Sequence, residues 1–260
     1  MFGAKMTAAT GLRHQQFRLD TIANNIANAN TTGFRGSRVD FKDAMYLTGM
    51  VPGTARSPEG NQQRGHGVLV AATTMDFRSG SLLVTDRDLD FAVAGNGFFT
   101  LGDLDGNLFY TRNGAFDISV EDEGRFIVNA NGLYLLDTNG ERIMVPDNAQ
   151  TISVDHAGTM RFFHHEDEFG LEEPVTIAIY MFRNKMGLYA AGDGVFTETV
   201  ASGERFPADG EIVQGAVEGS NVNLSEQMTL MIRTQRAFQL VSRALTTADE
   251  MEALANNMRR

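Results

Sequence analysis

Leu12, Leu19 and Ile26 recur every seven residues near the start of the chain. Ala8, Gln15, Ile22 and Ala29 form a second row at the same interval. Two rows at this spacing make a narrow apolar stripe along one side of a helix. Gly33 follows the stripe, where a helix commonly stops on a left-handed residue. A stripe this narrow needs a partner, and the other end of the chain supplies one. Leu224, Met231, Phe238 and Leu245 again step by sevens, with Thr234, Val241, Ala248 and Ala255 in the adjoining row. Asn223 is a good N-cap for that segment, and Glu226 complements its first turn. A helix from Leu224 to about Met258 reaches roughly 50 Å.

The chain has 260 residues, enough for one large domain or two smaller ones. No run of eighteen apolar residues is present, so no transmembrane helix is expected. The first residues lack the basic start, apolar core and cleavage site of a conventional signal peptide. Cysteine is absent, which removes disulfides, thiolate metal sites and cysteine nucleophiles. Charge is uneven: residues 1–38 carry net +4, residues 224–260 net +1 and residues 39–223 net −16, within an overall −11. An acidic middle argues against binding phosphate there, and the basic ends are too sparse for nucleic acid.

After the first helix, Phe34 to Tyr46 is amphipathic and expected to be partly helical. Residues 47–67 are rich in Gly and Pro and read as a loop or linker. From Val68 the period changes to two. Val68-Leu69-Val70, Leu82-Leu83-Val84, Phe91-Ala92-Val93 and Gly97-Phe98-Phe99 are strand-like. Asp105-Gly106, Asn113-Gly114, Glu123-Gly124, Asn131-Gly132, Asn139-Gly140 and Ala157-Gly158 then punctuate the chain as hairpin turns. Val175 to Phe182 is the longest β-prone run. The expected class is α+β: terminal helices pair into a coiled-coil-like stem around an all-β middle. The expected divisions are 1–46 (first stem helix), 47–67 (loop), 68–215 (β-rich domain) and 216–260 (return segment and last stem helix).

Sites for chemistry are sparse. His164-His165-Glu166-Asp167-Glu168 is the one cluster resembling metal ligands, but neighbours on a strand point to opposite faces, and an exposed hairpin tip is the expected form. Asp103-Leu104-Asp105-Gly106-Asn107 begins like a calcium loop without its later Glu, and reads as an Asp-Gly turn. Asp86, Asp88 and Asp90 alternate, so a strand there would present three carboxylates on one face; a glycosidase needs two at a set separation in a cleft. No nucleophile elbow, P-loop or dinucleotide fingerprint is present, and Gly95-Asn96-Gly97 has no following helix. Neither a catalytic group nor a cofactor or metal site is expected. An enzyme such as a cell-wall hydrolase, or an unrelated coiled-coil adhesin, are the competing classes.

Asn24-Asn25-Ile26-Ala27-Asn28-Ala29-Asn30-Thr31-Thr32-Gly33-Phe34-Arg35 resembles the N-terminal signature of bacterial flagellar rod and hook proteins. Asp90 to Phe99, with Gly95, Gly97, Phe98 and Phe99, is similar to that family's internal motif, and Tyr110-Thr111-Arg112-Asn113-Gly114-Ala115-Phe116 to its next block. Glu218-Gly219-Ser220-Asn221-Val222-Asn223 with Thr234-Gln235-Arg236-Ala237-Phe238 resembles the C-terminal signature. The four blocks occur in the family's order and span most of the chain.

The resemblance implies a structural axial subunit of the flagellar basal body. In that family the terminal helices form the inner core of a helical tube and a β-rich domain lies outside. Members leave the cytoplasm through the flagellar type III export channel without a cleaved signal and order their ends on assembly. The length and single modest β domain are most like the distal rod members; proximal rod and hook-type members share the blocks. Implied partners are sister subunits, neighbouring rod and hook proteins, the export apparatus and, in a cell with an outer membrane, bushing rings. The stem residues implied in assembly are Ala8, Leu12, Leu19, Ile22, Ile26, Leu224, Met231, Phe238, Val241 and Leu245.

Overall fold

The computed structural model describes residues 2–44, 46–49, 62–65, 67–164, 174–208 and 210–258. The chain divides into two compact units: one of Met1–Ala27, Ser37–Met75 and Asn223–Arg260, the other of Asn28–Gly36 and Asp76–Val222. With helices at both ends and strands between, the class is α+β.

The first unit holds both helices, α1 (Phe2–Ala27) and α2 (Leu224–Met258). They run antiparallel. Lys5 near the start of α1 pairs with Asp249, at 2.6 Å, and with Glu252 near the end of α2. Gly11 faces Val241, and Asn25 at the end of α1 reaches Gln227 at the start of α2, at 3.2 Å. The seven-residue rows account for this. Ile22 and Thr234 are buried, and Ala8, Leu12, Leu19, Ile26, Met231, Phe238, Val241 and Leu245 are half-buried, whereas Leu224 is exposed. The Asn223 carboxamide accepts a hydrogen bond from Glu226 N at 3.2 Å, the expected cap on α2.

In the same unit β1 (Ser37–Asp43) pairs antiparallel with β4 (Val68–Met75), and β2 (Tyr46–Gly49) with β3 (Gln62–Gly65). Within Phe34 to Tyr46, Ser37–Asp43 is therefore a strand and not the helix that the amphipathic pattern suggested. Val39 and Phe41 alternate with polar neighbours, and a β-branched partner strand satisfies their backbone. Phe41 also packs edge-on to His14 of α1 and lies beneath the Arg18 guanidinium. The stretch expected as loop, 47–67, has strands at its two ends; residues 50–61 lie outside the described residues.

The second unit is β5 (Leu82–Val84), β6 (Phe91–Ala94), β7 (Phe98–Gly102), β8 (Leu108–Thr111), β9 (Phe116–Glu121), β10 (Gly124–Asn129), β11 (Tyr134–Leu135), β12 (Met144–Val145), β13 (Thr151–Val154), β14 (Thr159–Phe163), β15 (Val175–Thr176), β16 (Ile179–Phe182), β17 (Tyr189–Gly192), β18 (Val195–Thr197), β19 (Arg205–Pro207), β20 (Glu211–Gln214) and β21 (Ala216–Glu218). Among the described residues its main sheet has ten strands, ordered β12-β10-β11-β7-β8-β18-β17, with β9, β16 and β19 branching from that path. Glycines in the left-handed region close its hairpins where X-Gly pairs stand, as at Gly106, Gly132 and Gly140.

The run Val175 to Phe182 is two short strands rather than one. It changes partners midway: Ile177 N donates to Gly158 O, and Ala178 N to Leu136 O. The core gathers Phe91, Phe99, Phe116, Ile127, Leu135, Met160 and Phe162, each worth roughly 1.5–3 kcal/mol when fully buried. A second aromatic group joins Phe98 to Phe77, Phe182 and Phe196, with ring centroids 5.8–6.2 Å apart.

Candidate functional site

Glu218 ends β21 with its carboxylate 1% exposed, and three distant segments close on it. Arg35 donates to Glu218 Oε1 at 2.7 Å, and Gly80 N donates to the same oxygen at 2.8 Å. Arg112 donates to Oε2 at 3.2 Å. The backbone joins in, since Gly33 N donates to Glu218 O at 2.7 Å. Arg112 is further held by Val93 O at 3.1 Å and Gly95 O at 2.6 Å, and its guanidinium lies over the Phe98 ring.

Two buried guanidiniums thus share one carboxylate. Burial pushes Arg112 down to about 10, while the Glu218 charge pulls it back up and Arg35 pushes it down again. Carbonyl oxygens and an aromatic face spread the remaining positive charge of Arg112. Arg35 has less: its Nε and Nη1 are buried without a partner among the described residues. The cluster is held by its surroundings, and it is expensive to break on one side only.

Around it the other motif residues have defined tasks. The Thr32 hydroxyl donates to Asn113 Oδ1 at 2.8 Å. Asn221 accepts from Gly36 N at 2.8 Å and donates to Asp76 O and Arg78 O at 2.7 and 3.0 Å. Thr111 is buried and donates to Gly194 O. Gly33 sits at φ 69, and a Cβ there would lie 2.5 Å from Asn113 N. Gly114 has a Cβ position only 1.6 Å from Phe91 O. Gly97 and Gly219 are also closely packed, against Ile179 and Ser81, and Ser220 accepts a hydrogen bond from Val222 N. Phe98 and Phe99 are core residues, and Phe34 is half-buried.

In the first unit Asn25 is 2% exposed. It donates to Ser37 O at 2.7 Å and accepts from Ser37 N at 2.9 Å, stapling the end of α1 to the start of β1. Asn24 and Asn30 are exposed, and Asn28 accepts from the Thr31 hydroxyl. Gln235, Arg236 and Leu224 are exposed on α2. Large apolar side chains also stand in solvent on both helices: Phe17 is 43% exposed, Ile232 52%, Leu240 65% and Leu254 63%.

The carboxylates Asp86, Asp88 and Asp90 do not share a strand face. Asp86 has φ 56, Asp88 lies in a turn, and Asp90 is buried in an isolated bridge to Ala115. Asp103 accepts from Asp105 N and Asn107 N at 3.0 and 2.8 Å, the Asp-Gly turn its sequence suggested. His164 is half-buried; the rest of its cluster, His165 to Glu168, lies outside the described residues. Arg35 and Glu218 stand within the motifs, and nothing in the sequence alone marks them as partners. The available signal was a charged residue set among Gly and apolar neighbours in each block.

Three family profiles match: Flagella basal body rod protein over residues 6–35, Flagellar hook protein FlgE/F/G D1 domain over 92–162, and Flagellar basal body rod FlgEFG protein C-terminal over 213–258. The chain is 37% identical to the flagellar basal-body rod protein FlgG of Borreliella burgdorferi across the whole of both chains. The chain belongs to the flagellar basal-body rod protein family. The FlgG proteins of Agrobacterium fabrum, 35% identical over 96% of each chain, and Bacillus subtilis, 32% over the whole of both, are similar along the same length. Membership of this family makes the chain a structural subunit of the basal-body rod, not an enzyme. Its profile boundaries cut across the Glu218 cluster: Arg35 falls in the first, Arg112 in the second and Glu218 in the third.

Proposed function

We propose that the chain is a distal rod subunit that polymerises into a helical tube and transmits motor torque to the hook. The observation that carries this reading is the pair of helices with large apolar side chains left in solvent. Phe17, Ile232, Leu240 and Leu254 stand exposed while most of the seven-residue rows, Leu224 and Ala255 excepted, are buried or half-buried. Such side chains on a structural subunit are suited to cover by sister molecules. Full-length similarity to proteins named FlgG favours the distal member over a proximal rod or hook-type subunit.

On this reading α1 and α2 are a coiled-coil-like stem, residues 68–215 a β-rich domain, and 216–260 the return path and last helix. The stem is marginal in isolation because each helix offers only a narrow stripe. It leaves the cell with loose ends and orders them at the growing tip, beside rod and hook neighbours. Immunogold labelling of purified basal bodies tests the assignment. Label between the proximal rod and the hook is expected; label elsewhere on the basal body would refute the distal reading.

A further inference from the structure

The second unit carries two dissimilar surface patches. The β7–β8 turn, the β9–β10 turn and the residues before β12 surround a cleft of about 510 Å³. Leu104, Phe126 and Met144 supply apolar lining, and Leu104 and Met144 are 77% and 48% exposed. Asp103, Glu123 and Glu141 stand on the lining with one cation, Arg142, which pairs with Glu123 at 3.1 Å and lies over Phe126. The cleft is therefore apolar inside and acidic in balance.

Between β16 and β17 the chain from Arg183 to Tyr189 makes a knob containing two cations and no acid. A short 3-10 turn, Lys185–Gly187, sets it out from the sheet. Met186 is 61% exposed and Tyr189 65%, with Arg183 exposed beside them. The knob is preformed. Asn184 Nδ2 donates to Ala201 O at 2.9 Å, Lys185 donates to Asn96 Oδ1 at 2.6 Å, and a Cβ on Gly187 would lie 2.4 Å from the Ala201 carbonyl carbon.

We propose that this knob docks in the cleft of a second copy of the chain. Met186 and Tyr189 meet Leu104 and Met144, and Arg183 meets Asp103 and Glu141. A basic apolar knob matches an acidic apolar cleft in both sign and polarity. The knob is held by hydrogen bonds before contact, so little ordering of it is required. The two patches differ, so the contact is head-to-tail. One such contact leaves a knob free on one copy and a cleft free on the other, which further copies can take to extend the chain. The inference rests on the rod-subunit reading.

The absence of cysteine makes the test clean. Two double variants, Leu104→Cys with Met186→Cys and Glu141→Cys with Arg183→Cys, are expressed with an epitope tag alongside the wild-type chain. Basal bodies are purified and treated with a short bismaleimide. A ladder of covalent dimers and higher multimers is expected from either double variant, and none from the single variants. Tagged rods that give no ladder with either pair would overturn the docking while leaving the rod assignment intact. Dimers from a single variant would indicate a two-fold contact and also overturn it. Tagged chain of both pairs missing from rods would overturn the reading beneath it.

Discussion

Arg35 and Glu218 are 183 residues apart in the chain and meet at 2.7 Å, each side chain 1% exposed. With Arg112 they form a three-member cluster that ties the start of the chain to its C-terminal return within the second unit. Glu218→Gln leaves two guanidiniums without a counter-charge in a buried place. Loss of about 3–5 kcal/mol is expected in urea unfolding. Arg35→Met leaves the Arg112–Glu218 pair neutral, and its loss should be smaller. The reverse ranking would show that Arg35, rather than the shared carboxylate, is the centre of the cluster.

Gly114 separates Arg112 and Asn113 from Phe116, and its alpha carbon lies against the backbone of Phe91. A methyl group has no room there, because the obstructing atom is a carbonyl oxygen and not a side chain that can swing away. Gly114→Ala is expected to cost about 3 kcal/mol through overpacking. Gly132→Ala, where nothing stands within 4 Å, suffers only its φ of 76 and should cost about 1 kcal/mol. Thermal unfolding of the two variants, compared side by side, checks the order.

Much of this was legible from the residues. Rows at seven-residue spacing in α1 and α2 mark their inward faces because helical period and burial are linked by geometry alone. Pairs such as Asp105-Gly106 mark turns because only glycine enters the left-handed region at little cost. Phe34 to Tyr46 misled because an amphipathic segment of that length suits a helix or a strand, and its partner β4 lies some thirty residues on. The Glu218 cluster was hidden for a different reason. A charged residue reads as surface until its partners are known, and here they come from segments 106 and 183 residues away.

Acid should act on one surface turn. Asp103 is held below the ordinary 3.8, first by the Asn107 side chain and then by backbone N–H groups of Asn107, Asp105 and Gly106. Its native pKa is depressed, so the unfolded chain binds more protons below the ordinary value. The turn's contribution is present above about 3.8 and is lost as pH falls through the lower native pKa. Carboxyl NMR titration should place Asp103 below an unperturbed aspartate, and Asn107→Ala should move it upward. No movement in that variant would assign the shift to the backbone donors alone.

Asn25 is the polar staple of the first unit. Its carboxamide satisfies both the N–H and the C=O of Ser37 and also reaches Gln227. Asn25→Ala leaves these groups wanting and is expected to cost about 1–3 kcal/mol. Asn25→Asp keeps the acceptor for Ser37 N and loses the donor, so an intermediate effect is expected. Hydrogen exchange at Ser37 and along the last turn of α1 reports it. Amides of β6 to β14 should keep their wild-type protection, since the staple lies in the other unit.

Two leucines on the helices separate folding of the subunit from its assembly. Leu19 is half-buried in the inward row of α1, whereas Leu240 on α2 is 65% exposed. Leu19→Arg puts a charge into that row, so limited proteolysis of the purified monomer should cut α1 and α2 sooner while a fragment of the second unit persists. Leu240→Arg changes a side chain that the isolated subunit leaves in solvent, and its proteolysis pattern should match wild type. Both variants are expected to abolish motility and rod incorporation, the first by loosening the helix pair and the second by charging a surface that a sister molecule covers. If Leu240→Arg cells swim normally with the variant in their rods, that face of α2 is open in the assembled rod, and the exposed apolar residues there need another explanation.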